Sequence, residues 1–182
     1  MKIILIGAPG AGKDTQAKRL AKYFKLSIIS SGEVLRKEGR KKTETGRRIK
    51  EYIDKGNLVP EKLLYKVLKK YIGKKKNLIL DGVPRSKEQL KFSFCKDPDY
   101  VVLINVPKKE LIKRIMLRGR KEHREDDKDI SIINRRFRKY SNSIRFIMNY
   151  YKNKSNFLVI NGNQSIGKVF KDIVNMINLR NR

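Results

Sequence analysis

The chain has 182 residues, about one ordinary domain with room for a small inserted lobe, and 46 Lys and Arg against 18 Asp and Glu leave a net charge of +28. A single cysteine, Cys95, excludes an internal disulfide, and with one histidine, His123, it cannot complete a four-ligand zinc site, so no zinc is expected. The opening apolar run is too short for a secretory leader and no stretch approaches the ~20 apolar residues of a membrane span, so the expectation is a soluble, cytoplasmic protein with no membrane partner.

Ile3 to Ile6 reads as a short buried strand that runs directly into Gly7-Ala8-Pro9-Gly10-Ala11-Gly12-Lys13-Asp14-Thr15-Gln16. Glycines spaced in this way let successive backbone N–H groups turn inward, and a helix beginning at Lys13 aims its N-terminus at the same point. The pattern predicts a phosphate-binding loop: Gly10, Ala11, Gly12 and Lys13 around the phosphates of a nucleotide, and the Thr15 hydroxyl within reach of its Mg²⁺. Asp14 stands where a hydroxyl residue more often follows the lysine.

Further along, helices are predicted over 13–24, 31–38, 44–55, 61–72, 86–94, 107–117, 128–151 and 165–178, and strands over 26–29, 78–80, 101–104 and 157–160. Strand and helix alternate, which implies a five-stranded parallel sheet covered by helices on both faces, with ligands at the carboxyl ends of the strands. Two segments break the alternation: 30–59, with two short helices and no strand between them, and the polar stretch 118–127. Both are expected to be lobes over the site. The strand at 78–80 ends in Asp81, a carboxylate placed beside the loop to hold the water shell of the metal. Gly82-Val83-Pro84-Arg85 follows and aims an arginine at the same end of the sheet.

The charge makes nucleic-acid binding the natural rival, as a P-loop ATPase whose basic face is its main function. Against this, the lysines are spread along the chain, and neither an RNP-like aromatic motif nor a Cys/His finger accompanies them. No specific nucleic-acid partner is expected, and any polyanion binding should be non-specific.

Six ordered segments resemble the adenylate kinase family of nucleoside monophosphate kinases over essentially the whole chain. They are residues 7–16, Ile29-Ser30-Ser31-Gly32-Glu33-Val34-Leu35-Arg36, Gly56-Asn57-Leu58-Val59-Pro60, residues 81–85, Arg114-Ile115-Met116-Leu117-Arg118-Gly119, and Arg124-Glu125-Asp126-Asp127 followed by Arg135. The resemblance implies an α/β fold, a P-loop three-layer sandwich with a helical lobe for the acceptor monophosphate (30–59) and a short lid (118–127) in one domain, 1–182, acting as a monomer.

It implies transfer of the γ-phosphoryl of Mg·ATP to AMP, with a UMP/CMP kinase as the alternative. Catalytic residues by similarity are Lys13, Arg85, Arg118, Arg124 and Arg135. ATP would be held by Gly10, Ala11, Gly12, Lys13, Asp14, Thr15, Arg114 and Arg118, with Arg114 stacked on the donor base. AMP would be held by Ser31, Gly32, Arg36, Leu58, Val59, Gly82, Arg85, Gln89, Arg124 and Arg135. Mg²⁺ would meet Thr15, and Asp81 through water. Asp126 and Asp127 would orient the lid arginines, while Arg120, Arg136 and Arg138 are assigned to the solvated surface. Ser31 and Gln89 favour adenine, since a glutamine amide can pair with the N1 and 6-amino edge. The chain departs from the family pattern at Asp14 and Val83, where glycine and phenylalanine are usual, and in its short lid.

Overall fold

The computed structural model describes residues 1–122, 127–154 and 156–180. Five strands, β1 (Lys2–Ile6), β2 (Ser27–Ser30), β3 (Leu78–Asp81), β4 (Tyr100–Asn105) and β5 (Phe157–Asn161), form one all-parallel sheet in the order β2-β3-β1-β4-β5. Seven helices join and flank them: α1 (Lys13–Phe24), α2 (Ser31–Gly39), α3 (Glu44–Asp54), α4 (Glu61–Ile72), α5 (Lys108–Glu122), α6 (Ile130–Tyr151) and α7 (Ile166–Arg180).

The alternation of side chains along β1 divides the core. Ile3 and Leu5 pack with residues of α1, α5 and α7 on one face, whereas Ile4 and Ile6 pack with α3, α4 and the far end of α6 on the other. Because β1 is central and its neighbours β3 and β4 leave in opposite directions along the sheet, a crevice opens at its carboxyl end. The register sets Asp81 beside Leu5 on one side and Ser30 on the other, so the β3 carboxylate stands at that crevice.

Two local signals account for helix starts away from the crevice: the Thr43 side chain accepts from Gly46 N–H at 3.0 Å ahead of α3, and Asp129 accepts from Ser131 N–H at 2.7 Å ahead of α6. The helix predicted over 86–94 is not formed. Two 3₁₀ turns, Glu88–Lys91 and Ser93–Cys95, replace it, with Phe92 extended between them. Leu90, Phe92, Phe94 and Cys95 are all buried, a spacing that no single helical face supplies, and Phe92 and Phe94 pack with Tyr65 at ring separations of 5.1 to 5.5 Å. The helix predicted to stop at 117 continues to Glu122, so the segment expected as a lid begins inside α5. Among the described residues, no helix is long and apolar enough to cross a membrane.

Candidate active site

The loop after β1 is held by an Ala11 N–H bond to Ala8 O at 3.1 Å, and Gln16 N–H closes the first turn of α1 on Gly12 O at 3.0 Å. Gly10 has φ +81°, and a Cβ there would lie 2.8 Å from Leu111 O and from Ile115, so only glycine lets the loop pass under α5. Lys13 folds back so that Nζ donates to Gly7 O (2.9 Å) and Ala8 O (3.0 Å), closing the loop with its own cation. Thr15 lies exposed on the first turn of α1.

Asp81 forms the wall opposite Lys13. It is 2% exposed; Oδ2 accepts from the Ser30 hydroxyl at 2.9 Å, Oδ1 has no donor among the described residues, and the Asp14 carboxyl lies within hydrogen-bonding reach. Burial raises the Asp81 pKa, with the Lys13 charge opposing it, and burial lowers the Lys13 pKa, with Asp81 opposing it. A carboxylate oxygen without a donor, beside a second carboxylate and a phosphate loop, is a donor set suited to a hard cation such as Mg²⁺.

From this wall a cleft of about 1350 Å³, open solvent included, runs between α2, the segment after α3, and α6. Gly10, Lys13, Asp14 and Asp81 line it together with Ser31, Gly32, Arg36, Leu58, Val59, Gly82, Arg85 and Gln89. Gly82 has φ +71°, and a Cβ there would fall 2.5 Å from Arg85 Nη2 and 2.8 Å from Ser31 Oγ. The absence of a side chain therefore lets Arg85 lie across the turn, where Nε donates to Gly82 O at 2.6 Å. Ser31 donates its hydroxyl to the same carbonyl at 2.7 Å, tying the start of α2 to this turn. Gln89 is buried, its Oε1 accepts from Arg85 N–H at 2.7 Å, and its Nε2 has no partner among the described residues.

A loop for phosphates and a set of arginines thus line one enclosure. A family model described as adenylate kinase matches residues 5–156. This chain belongs to the adenylate kinase family. It is 35% identical over 176 residues to an adenylate kinase of Synechococcus sp. (92% of this chain, 91% of that protein) and 33% identical over 187 residues to one of Flavobacterium psychrophilum (98% of each). Against an adenylate kinase of Buchnera aphidicola the identity is 36% over 215 residues, covering 100% of this chain and 99% of the other.

Within this adenylate kinase fold two neighbouring arginines sit differently from the sequence reading. Arg135 is exposed, is not among the cleft-lining residues and donates Nη1 to Lys55 O at 2.8 Å, whereas Arg136, assigned to the solvated surface, lines the cleft. The α6 residues that line the cleft are Arg136, Lys139, Tyr140, Ser143 and Ile147, a broad stripe in helical steps. Arg135 is not among them.

Asp127, fully buried, joins the two arginines of the site: Oδ2 accepts from Arg118 Nε at 2.7 Å and Oδ1 from Arg136 Nη1 at 2.5 Å. Arg118 also stands 3.9 Å from Asp14. Sequence reading missed Lys139 as well, which lines the cleft and donates to Asn57 Oδ1 at 2.8 Å. The α6 stripe through Tyr140 and Ile147 was the available signal for both. Ala11, Gly12, Thr15 and Arg114 are not among the cleft-lining residues. Arg114 is anchored on Glu110 (3.0 Å) and on Gly162 O (3.1 Å), beyond the loop. Arg124, Asp126 and His123 lie outside the described residues.

Proposed function

We propose that this chain is an ATP:AMP phosphotransferase that moves the γ-phosphoryl of Mg·ATP to AMP and releases two ADP. The observation that carries the reading is that Lys13 and its loop line the same cleft as Arg36 and Arg85, which gives donor and acceptor phosphates one shared space. Phosphoryl transfer asks mainly for positioning and for positive charge around the transferring oxygens.

Loop N–H groups and Lys13 hold the donor phosphates, Lys13 exchanging its bonds to Gly7 O and Ala8 O for phosphate oxygens. Arg85 and Arg36 hold the acceptor's α-phosphate. Arg118 and Arg136, fixed in orientation by Asp127, supply charge to the group in flight. Bound with ATP, Mg²⁺ would neutralise charge on the phosphates; Asp81 and Asp14 would hold it, with Thr15 on the adjacent turn. Arg124 joins the cluster by family resemblance, and Arg114 borders the donor base.

Adenine is favoured by Gln89. Its Oε1 is engaged by Arg85 N–H, which leaves the Nε2 donor for the base. A donor there suits the unprotonated N1 of adenine and opposes the ring N–H of guanine and uracil. Cytosine, with an acceptor ring nitrogen, is the harder competitor. The segments 30–59 and 118–127 act as lobes that close over the two nucleotides, and a buried free Cys95 thiol suits a reducing cytoplasm. A coupled assay with ATP and each of AMP, CMP, UMP and GMP tests the reading: AMP is expected to give the largest kcat/KM, and a larger value for any other acceptor overturns the assignment.

A further inference from the structure

Asp14 is the one acidic residue inside the phosphate loop motif, and the fold sets it against Asp81 and 3.9 Å from Arg118. Two carboxylates in contact repel unless a proton or a cation lies between them. Asp81 is 2% exposed, and its Oδ1 has no donor among the described residues. The neighbouring Lys13 and Arg85 discourage a cation while the cleft is empty. Among the described residues no third carboxylate, histidine or cysteine joins the pair, so a cation there must take most of its ligands from phosphate and water. Phosphates reverse the sign of the local charge and supply those ligands.

Resting on the kinase reading for the placement of ATP, we infer that Asp14 is a specificity residue that makes the donor site select metal-loaded over metal-free nucleotide, by completing with Asp81 a paired-carboxylate cation subsite. A carboxylate fixed in the phosphate loop repels bare polyphosphate; with a divalent cation between them, the same carboxylate becomes a ligand. The two effects have opposite signs and one residue causes both.

The test measures affinity for a β,γ-imido analogue of ATP by calorimetry, with Mn²⁺ and with EDTA, in the full chain and in Asp14→Asn and Asp14→Gly. The ratio of metal-free to metal-loaded Kd should be at least about ten-fold larger in the wild type than in either variant, because both the repulsion and the ligation are lost with the charge. Metal-free analogue should bind the variants more tightly than the wild type. Mn²⁺ electron paramagnetic resonance in the presence of the analogue should show weaker metal retention by both variants. If Asp14 serves only to tether Arg118, the two affinities change together and the ratio stays fixed, which overturns the inference. An altered ratio in Asp14→Gly alone also overturns it, since loop conformation rather than charge is then the cause. Asp14→Asn, nearly isosteric, keeps the test available should the glycine variant fold poorly. The Kd ratio does not depend on turnover, so absence of kinase activity in the coupled assay would refute the functional reading without deciding this one.

Discussion

Asp127 holds Arg118 through a 2.7 Å bond to Nε, and the same carboxylate holds Arg136 through its second oxygen, so one fully buried charge fixes two cations that come from different helices. Neither arginine side chain is more than about a fifth exposed, at 21% and 18%. Such a clamp sets position rather than substrate affinity. Asp127→Asn offers one acceptor and turns an amide N–H toward a guanidinium, so kcat should fall by ~10- to 100-fold, as misplacement of a catalytic group by about 1 Å does. KM for AMP should change little, because Arg36 and Arg85 are untouched. Steady-state kinetics separate the two; an effect confined to KM would remove Asp127 from this role.

Arg135 and Arg136 give the sharpest contrast in the molecule. Arg136→Ala removes a cation from the cleft and should lower kcat by at least ~100-fold, the usual loss for a group that stabilises developing charge. Arg135→Ala removes a surface bond to Lys55 O and should keep kcat within about two-fold, as most exposed substitutions do. The reverse ranking in a turnover assay would put the cleft on the other face of α6.

That contrast also shows what the sequence could and could not reveal. The loop from Gly7 to Lys13 was legible because its chemistry is local: the strand, the glycines and the helix start are contiguous. Asp81 was legible as the end of an apolar strand. Arg136 was not, because its phase relative to Asp127 depends on where α6 starts, and the polar residues before Ile130 carry no periodic signal. The register across β1 and β3 sets Asp81 beside Leu5, below the loop that leads to Asp14, and the engagement of Gln89 Oε1 by Arg85 N–H arises from a turn where a helix had been expected.

Cationic crowding supplies the motive for closure. Partial desolvation in the cleft and the charge of Arg136 lower the Arg85 pKa; Asp81 and Asp14 oppose them, and Arg36 adds to the lowering. Phosphates relieve that strain, so an analogue joining two adenosines through five phosphates should bind tightly and draw the 30–59 lobe inward. Spin labels at Lys42 and Lys171, both exposed, should approach each other when the analogue is added. An unchanged distance distribution would remove the closing lobe from the mechanism.

Acid should unlock the arginine clamp before it unfolds the sheet. Burial alone would raise the Asp127 pKa; the hydrogen bond and charge of Arg118, followed by those of Arg136, outweigh it and hold the carboxyl below its ordinary value. A carboxylate whose pKa is depressed by folding contributes stability that is complete above the unfolded-state value of about 3.9 and is lost as pH falls through the folded value. Breaking a buried pair by removing one partner costs ~3–5 kcal/mol in general, and Asp127→Asn, which keeps one acceptor, should fall at or below the low end of that range at pH 7. Urea unfolding of the wild type and Asp127→Asn at pH 7, 4.5 and 3 should therefore show a stability gap that is similar at the first two values and narrows at the third, where the wild type begins to take up the proton that the variant cannot bind. A gap that stays constant down to pH 3 would mean that the Asp127 carboxylate is not stabilised by its two arginines.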